Sequence, residues 1–285
     1  MRLSYLRYLV ILFFFSNCSV NYGQLTYVGK LSSDLEEVSG IESIPDSDSF
    51  WMVNDSGNHP RVYVVNAKGK ITKTLYVEGK NKDWEDLTTD KEGNLYVGDF
   101  GNNANDRKHL KIYKLAANDL THGKSILPVK IEFSFPNQKK FPPKKKKRHF
   151  DIESFFHYNG YLYLFTKSRT KTDYGRTDLY KIPATEGKHK AQFISTFNTC
   201  DKMKCWVTSA AISPDGKKVV LLSHEAIWQF TDFKNDHFFG GQMKKFDLEH
   251  ESQKEGICFK NNNTVYITDE KAHGKGRNLY VFILD

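Results

Sequence analysis

Five similar passages organise the chain, and in each of them short apolar strands alternate with turns. Every passage starts at a small or acidic residue, continues as an apolar strand, turns, and returns as a strand rich in Tyr, Leu and Val. Strands of alternating polarity separated by turns such as 92–94 (EGN) and 214–216 (PDG) are typical of β-hairpins. The passages are VSGIESIPDSDSFWMVND from 38, WEDLTTDKEGNLYVGDF from 84, IESFFHYNGYLYLFTKS from 152, VTSAAISPDGKKVVLLSH from 207 and KEGICFKNNNTVYITDE from 254.

A third strand follows every passage, and a fourth follows all but the last, at 71, 129, 191 and 242. The missing strand is available at the other end of the chain, as LTYVGKL at 25–31. A first strand that completes the last sheet closes a circle and leaves no free edge. The sequence therefore predicts an all-β fold, a five-bladed β-propeller closed by its N-terminal strand. Six blades are the less favoured alternative, because the widest gap between passages is too short for two blades of about 40 residues each.

One residue at the start of each first strand is expected to lie at the same mouth of the central channel, because first strands line that channel. We call these residues the anchors, and they are Ser39, Glu85, Glu153, Ser209 and Glu255. Second strands run antiparallel to first strands, so their ends should reach the same mouth. Those ends carry Asn54 and Asp55, Asp99, residues 167–169, His224 and Glu225, and residues 269–271.

The anchors predict a metal centre. Three carboxylates in one narrow ring repel one another, and a hard cation removes that repulsion. The five anchors offer five oxygen donors, and water could complete the six to eight that calcium takes; magnesium is possible. No sulfur or imidazole stands among them, which argues against zinc or copper. The alternative is that the anchors cap strands or pair with Lys or Arg near the channel.

The composition agrees with a folded, strand-rich domain. Of 285 residues, 39% are hydrophobic and 27% charged, and the 14% that are aromatic favour strands. Mean hydropathy is −0.58, and only one stretch is apolar enough to enter a membrane. These values exclude a multi-pass membrane protein, a collagen-like chain and a coiled coil.

That one stretch, YLVILFFF at 8–15, follows Arg2 and Arg7 and has the pattern of a secretory signal, too short for a spanning helix. We expect a signal peptide over 1–23 and a single propeller domain over 24–285, without a transmembrane helix in the mature chain. Lipidation at Cys18 is an alternative, and an uncleaved anchor is less favoured. The predicted location is secreted, periplasmic or cell-surface. Export would permit a disulfide between Cys200 and Cys205, whereas Cys258 lies in an apolar run and is expected to be a buried thiol.

The chain carries a formal net charge of +8. Five consecutive cations, at 144–148, lie in a segment (138–149, the lysine-rich loop) that should join the acidic mouth. Such a run is often only solvated, but here it could steer an anion towards a bound metal. Phosphate best matches several Arg and Lys near a divalent ion, so the expected ligand is a phosphorylated small anion. The basic residues do not form a stripe interleaved with aromatic residues, which argues against nucleic-acid binding. The cations predicted on this side are Arg61, Arg107, Lys167, Arg169 and Lys271.

A role can be assigned to each of these groups. The anchors would hold calcium, and Asp55 or Asp99 would orient or deprotonate the attacking water. Lys167 and Arg169 would hold phosphate oxygens, and His224 is a second candidate acid or base. The competing hypothesis is a non-catalytic propeller that binds a ligand or a protein and uses calcium only to lock its channel.

Short motifs at the anchors follow one another in blade order. They are Glu37-Val38-Ser39-Gly40-Ile41 with Val53-Asn54-Asp55, Trp84-Glu85-Asp86-Leu87, Ile152-Glu153-Ser154, Thr208-Ser209-Ala210 and Lys254-Glu255-Gly256-Ile257.

These motifs resemble the calcium-activated nucleotidase (soluble apyrase) family, and the resemblance extends from about 36 to 270. It implies a secreted five-bladed propeller with a central calcium that hydrolyses nucleoside di- and triphosphates. The chain departs from the family in two places. The lysine-rich loop replaces the long insertion before the third blade, and the family's aspartate-arginine pair is Asp55-Ser56 here. The resemblance therefore supports the metal centre more than the nucleotide specificity.

A second set of residues resembles the secreted phytase-like or SdiA-regulated propellers, whose activity is less defined. These residues are Asp83-Trp84-Glu85-Asp86-Leu87, Gly98-Asp99-Phe100-Gly101-Asn102-Asn103 and Ile112-Tyr113.

Overall fold

The computed structural model describes residues 20–285. Most of the predicted signal peptide, including its apolar segment and Cys18, lies outside the described residues. The described residues form five sheets, and the principal strands of each are antiparallel and correspond to one predicted passage with its following strands. The described part begins with β1 (Thr26–Lys30), which belongs to the last sheet.

The first two blades each contain a fifth strand. Blade 1 comprises β2 (Val38–Ser43), β3 (Ser49–Asn54), β4 (Arg61–Asn66), β5 (Ile71–Val77) and β9 (Ser125–Ile126). Blade 2 comprises β6 (Trp84–Thr89), β7 (Leu95–Asp99), β8 (Leu110–Leu115), β10 (Val129–Ser134) and β14 (Gly187–Lys190).

The other three blades have four strands each. Blade 3 comprises β11 (Asp151–Tyr158), β12 (Tyr161–Lys167), β13 (Arg176–Pro183) and β15 (Gln192–Asn198). Blade 4 comprises β16 (Ser209–Ile212), β17 (Val219–Leu222), β18 (Ala226–Thr231) and β19 (Gln242–Asp247). Blade 5 comprises β20 (Lys254–Asn261), β21 (Thr264–Asp269), β22 (Asn278–Ile283) and β1.

In the described residues, 20–285, helical structure is confined to short connections. The helix α1 (Ala117–His122) follows β8 of blade 2 and precedes the short β9 of blade 1. Single turns of 3-10 helix occur at Ser33–Leu35, Lys145–Lys147, Met203–Cys205 and Phe238–Gly240. Within residues 20–285, no helix is long and apolar enough to span a bilayer.

The first strands β2, β6, β11, β16 and β20 each contact the next around a central axis, and β20 returns to β2. β1 pairs antiparallel with β22, with Thr26 opposite Val281 and Lys30 opposite Asn278. The prediction of a five-bladed propeller closed by its N-terminal strand is therefore confirmed.

The core consists of five apolar clusters, each between two neighbouring blades. Between blades 1 and 2, for example, Trp51 and Val53 pack with Trp84, Val97 and Tyr113. The cluster between blades 5 and 1 joins Met52 to Cys258, the buried thiol that the sequence predicted. Because each blade buries both faces, its strands are apolar on both sides near the axis, and the hydrophobic stabilisation is distributed around the ring.

Four of the five anchors occupy β-bulges. The register between first and second strands shifts at Ser39, Glu85, Glu153 and Glu255, where one extra residue interrupts the ladder. A bulge re-aims the side chain that it contains, and bulges are common next to functional sites. The repeated position of the bulge gives the anchors a shared backbone setting in four blades.

Candidate functional site

Strand register brings the second-strand ends to the anchors, as the sequence predicts. The bulge at Ser39 lies beside Asn54, and that at Glu85 lies beside Asp99. In blade 3, Asp151 stands opposite Lys167. These chain segments form one mouth of the channel.

Three carboxylates at this mouth form a compact group, which we call the acidic triad: Asp55, Asp83 and Glu85. One oxygen from each lies within 4.8 Å of the others. Glu85 is buried, and the other two side chains are partly buried. None of the ion pairs formed within residues 20–285 involves a member of the triad.

The backbone at Gly101 closes over the triad from the loop after β7. A Cβ atom at this position would collide with the carboxylates of Glu85 and Asp83. Glycine is therefore required here for the close approach of the loop, not for an unusual backbone angle. The loop and the triad together form a small oxygen-lined cradle.

Burial and mutual repulsion raise the pKa values of the triad. Burial is the main cause for Asp55, and Asp83 and Glu153 add to it, so its pKa rises to about 7 although the Ser56 amide opposes the change. Burial also raises the pKa of Glu85 well above its usual range, with Glu153 and Asp55 contributing. Asp83 shifts in the same direction, again mainly through burial. Without a cation, Asp55 is therefore partly protonated near neutral pH.

Glu270 extends the same acidic surface. Burial raises its pKa to about 8, and the charges of Glu255 and Asp55 add to the effect. These interactions show that carboxylates from blades 1, 2 and 5 are close enough to influence one another's ionisation.

Glu153 has a different environment from Glu85. Lys167 Nζ lies 2.9 Å from one of its oxygens, and Arg169 Nη2 lies 2.8 Å from the other. Burial by itself would raise the pKa of Glu153, but these two cations outweigh it and the pKa is lowered. Arg169 also reaches Asp151, with Nε 2.5 Å from the carboxylate. Glu153 is thus ionised and neutralised by protein groups.

The remaining predicted metal ligands have other partners. Ser39 Oγ donates a hydrogen bond to the Trp84 carbonyl at 3.0 Å. Ser209 Oγ lies 3.3 Å from Asp86 Oδ2 and accepts a hydrogen bond from the Ile257 amide at 3.2 Å. Glu255 lies 3.4 Å from His224 Nε2. Glu85 is therefore the only predicted metal ligand that belongs to the acidic triad.

Asp99 and Arg107 bind each other. Arg107 Nη2 lies 3.0 Å from Asp99 Oδ1, and the same oxygen accepts a hydrogen bond from the Asp83 amide at 3.1 Å. Arg107 also donates to the carbonyls of Asp99 and Gly101. Both side chains are buried, so they hold the loop that covers the triad. Asp99 Oδ1 and the terminal nitrogens of Arg107 are thus occupied by protein groups.

The five predicted substrate-binding cations do not converge on one place. Lys167 and Arg169 are engaged by carboxylates and lie over the Trp206 ring, at 5.1 and 5.0 Å from its centroid. Arg61 lies over the Tyr76 ring, and Lys271 Nζ is 2.7 Å from Glu36. The last two cations line a common cavity of about 460 Å³ together with His59, Asn58 and Glu37.

The lysine-rich loop lies beside the cations of blade 3. The Arg169 amide donates to the Arg148 carbonyl at 2.8 Å, and Thr170 Oγ1 donates to the Lys145 carbonyl at 3.2 Å. The side chains of Lys144 to Lys147 are exposed. The loop therefore adds positive charge close to an acidic mouth, as the sequence predicts.

Two residues of this region were not singled out from the sequence as site residues. Asp83 belongs to the triad, and the sequence feature that could have identified it is its position two residues before the anchor Glu85. Asp86 directly follows an anchor and is 1% exposed. It accepts hydrogen bonds from the amides of Leu87 at 2.9 Å and Phe155 at 3.4 Å. Burial raises the pKa of Asp86 well above its usual range, and its hydrogen bonds with Phe155 and Ser209 link blade 2 to blades 3 and 4. The corresponding residues of the other blades are small: Gly40, Ser154, Ala210 and Gly256.

Comparisons with known proteins support the fold alone. No protein-family model matches the chain, and no curated protein matches it. The PQQ-bound aldose sugar dehydrogenase of Streptomyces coelicolor is similar over 92% of this chain and 98% of its own, with 10% identity and a TM-score of 0.54. A chain of the nidogen/laminin complex is similar over 92% and 97%, with 10% identity and a TM-score of 0.50. Virginiamycin B lyase from Staphylococcus aureus matches 84% of this chain and 66% of its own, with 15% identity and a TM-score of 0.41. The fold and the site thus define a five-bladed β-propeller with an acidic channel mouth.

Proposed function

We propose that the channel mouth binds calcium and that the protein is a metal-dependent hydrolase of a phosphorylated anion. The observation that carries this proposal is the acidic triad. Its three carboxylates come within 4.8 Å of one another, and no ion pair within the described residues neutralises them. A nucleoside di- or triphosphate is the expected substrate, on the resemblance to the calcium-activated nucleotidases.

The donor set fits a hard divalent cation. Asp55, Asp83 and Glu85 offer only carboxylate oxygens, and these are the ligands that calcium prefers. Burial raises the pKa values of Asp55 and Glu85, so a cation there would compete with protons, whereas the charge of Arg107 partly offsets the rise in the pKa of Asp83. Magnesium would fit the same donors if water completed its octahedron.

Bound calcium would offset negative charge on the phosphate oxygens of the substrate. Side chains of the protein would attract the substrate, contact it and position the attacking water. Exposed lysines of the lysine-rich loop would attract the anion, and Arg61 and Lys271 would contact it from the neighbouring cavity. One oxygen of Asp55 accepts a hydrogen bond from the Ser56 amide, and the other would be a calcium ligand, so Asp55 would orient the attacking water and would not deprotonate it. His224 remains the second candidate acid or base.

Calcium binding and phosphate release test the two parts separately. Calcium titration of chelator-stripped protein should give one site, and Asp83→Asn should weaken it at least tenfold. The matched control is Asp48→Asn, which removes the same charge from an exposed turn and should leave the affinity unchanged. Phosphate release from ADP, GDP, UDP and phytate is then measured with and without chelator. Absence of chelator-sensitive release from all four would end the enzyme hypothesis.

One observation favours a second function, a non-catalytic binding propeller with a structural calcium. Lys167 and Arg169 were expected to hold phosphate, but they form ion pairs with Glu153 and Asp151 instead. Calcium binding that raises the melting temperature without any phosphate release would support this second function. An unchanged melting temperature would remove calcium from both accounts.

We also propose that the protein works outside the cytoplasm. The support is the predicted signal peptide together with the bond between Cys200 and Cys205, whose Cα atoms are 5.8 Å apart. Fractionation of cells, with mass spectrometry of the mature N-terminus, tests export and distinguishes cleavage after Gly23 from lipidation at Cys18.

A further inference from the structure

A second cavity lies on the flank of blade 2, next to the channel mouth, and Asp99 and Arg107 belong to its lining. Its volume is about 310 Å³. The segment that connects β5 to β6 forms one wall, and strands β8 and β10 form another. Its lining contains six basic residues, Lys80, Lys82, Arg107, His109, Lys111 and Lys130.

The strand register explains why these side chains converge. Lys111 stands opposite Asp99 on the neighbouring strand, and Lys130 stands opposite Tyr113. Because alternate residues of a strand share a face, Lys111 and Tyr113 lie on the same side of the sheet. The Tyr113 hydroxyl lies 3.3 Å from the Lys80 carbonyl, which fixes the connecting segment over this face.

The positive charge of the cavity is not cancelled within it. Asp99 is the only acid in its lining, and Arg107 already binds that carboxylate at 3.0 Å. Among the ion pairs of residues 20–285, none involves the four lysines of the lining. Glu132 stands opposite Lys111 on β10 but lies outside the lining and forms no ion pair with it in the described part.

Arg107 is fixed in the wall of this cavity by its own hydrogen bonds. Its side chain is 9% exposed, and its terminal nitrogens are bound to Asp99 and Gly101. Its Nε is buried and has no hydrogen-bond partner. Arg107 therefore contributes fixed positive charge to the wall, while the donors open to a ligand are those of the exposed Lys80, Lys82 and Lys130.

We infer that this cavity binds a phosphate dianion, either free or as the terminal group of a small ester. Lysine and arginine donors surrounding a compact oxyanion form strong charge-assisted hydrogen bonds. The cavity is roughly ten times the volume that one water occupies in the liquid, so it has room for an organic group beside the phosphate. This site goes beyond the proposed function, because it contains no member of the acidic triad and needs no metal.

Calorimetric titration tests the site in excess chelator, at constant ionic strength, with inorganic phosphate and phenyl phosphate as the probes. The parent protein should bind at least one of them with a single site. Tighter binding of phenyl phosphate identifies an ester as the ligand class, and tighter binding of inorganic phosphate identifies the free anion.

The decisive variant is Lys111→Gln/Lys130→Gln, which should weaken binding about tenfold or more. Its matched control is Lys68→Gln/Lys70→Gln, which removes the same charge from an exposed turn between β4 and β5. Equal weakening by both variants, or no binding by the parent, overturns the inference. Chelator is present throughout, so failure here is independent of whether calcium-dependent phosphate release is found.

Discussion

The acidic mouth should make the metal-free protein lose stability as the pH rises. Asp55 has an ordinary pKa of 3.8 when unfolded and about 7 when folded. A carboxyl group whose pKa is raised by folding binds its proton more tightly in the native state. Its contribution is present at low pH and is lost as the pH rises through the folded value. Between about pH 6 and about pH 8, this loss amounts to about 1.4 kcal/mol for Asp55 alone.

The measurement compares the parent with a variant, because other groups also titrate between these two pH values. For each protein, the change in the free energy of unfolding between the two pH values is determined, and the two changes are then subtracted. Burial lowers the pKa values of His149, His157 and His250, and each of these histidines adds stability as the pH rises. The variant Asp55→Asn removes only the carboxyl contribution. Its stability in chelator should therefore fall less than that of the parent between the two pH values, by at least about 1.4 kcal/mol.

Urea unfolding in chelator at both pH values measures this difference, which corresponds to roughly 3 to 6 °C in melting temperature. Asp48→Asn, an exposed carboxylate in a turn, is the control and should behave as the parent does. Saturating calcium should flatten the pH dependence of the parent but not that of Asp55→Asn. If Asp55→Asn keeps the full pH dependence of the parent, folding does not raise the pKa of Asp55 and the reasoning from its burial is wrong.

Three further outcomes are expected. Lys167→Met should cost about 1–3 kcal/mol in urea unfolding because it leaves one oxygen of the buried Glu153 carboxylate unpaired while Arg169 still binds the other. Lys271→Met, at an exposed pair, should cost no more than about 1 kcal/mol, and a larger loss for Lys271→Met than for Lys167→Met would contradict this. Gly101→Ala should abolish calcium binding in calorimetry because its Cβ enters the cradle, whereas Gly240→Ala meets nothing closer than 4.0 Å and should bind normally. Reduction of the disulfide in the loop 200–205 should lower stability by about 2 kcal/mol, and an unchanged unfolding midpoint would contradict that.

The fold was predictable from the sequence because its repeats are local. Each hairpin has its own alternating pattern and turn, and the strand that closes the ring stood at the other end of the chain. The added strands β9 and β14 were not predicted. β9 is two residues long, and the sequence of β14 is GKHK, so neither has an apolar alternation. Both pair in parallel with the outer edge of a blade, and only the tertiary structure brings them there.

The site was predictable in its location but not in its pairing. The sequence places acids and cations at one mouth, because strand order alone determines which ends meet. It does not determine that Lys167 and Arg169 turn towards Glu153, or that Asp83 and Asp55 join Glu85. Those choices depend on side-chain directions at bulges and on which charges burial leaves unpaired, and neither follows from spacing along the chain.

The way β1 completes blade 5 has a consequence for biosynthesis. Blades 1 to 4 draw their four principal strands from contiguous segments and can begin to fold as the polypeptide emerges. Blade 5 has to wait, because its outer strand is made first and its other three strands are made last. A product that terminates before β22 would therefore keep an orphaned β1 and an incomplete last sheet. Such unpaired strands invite aggregation, so shortened products should be cleared by quality control rather than accumulate as partly working forms.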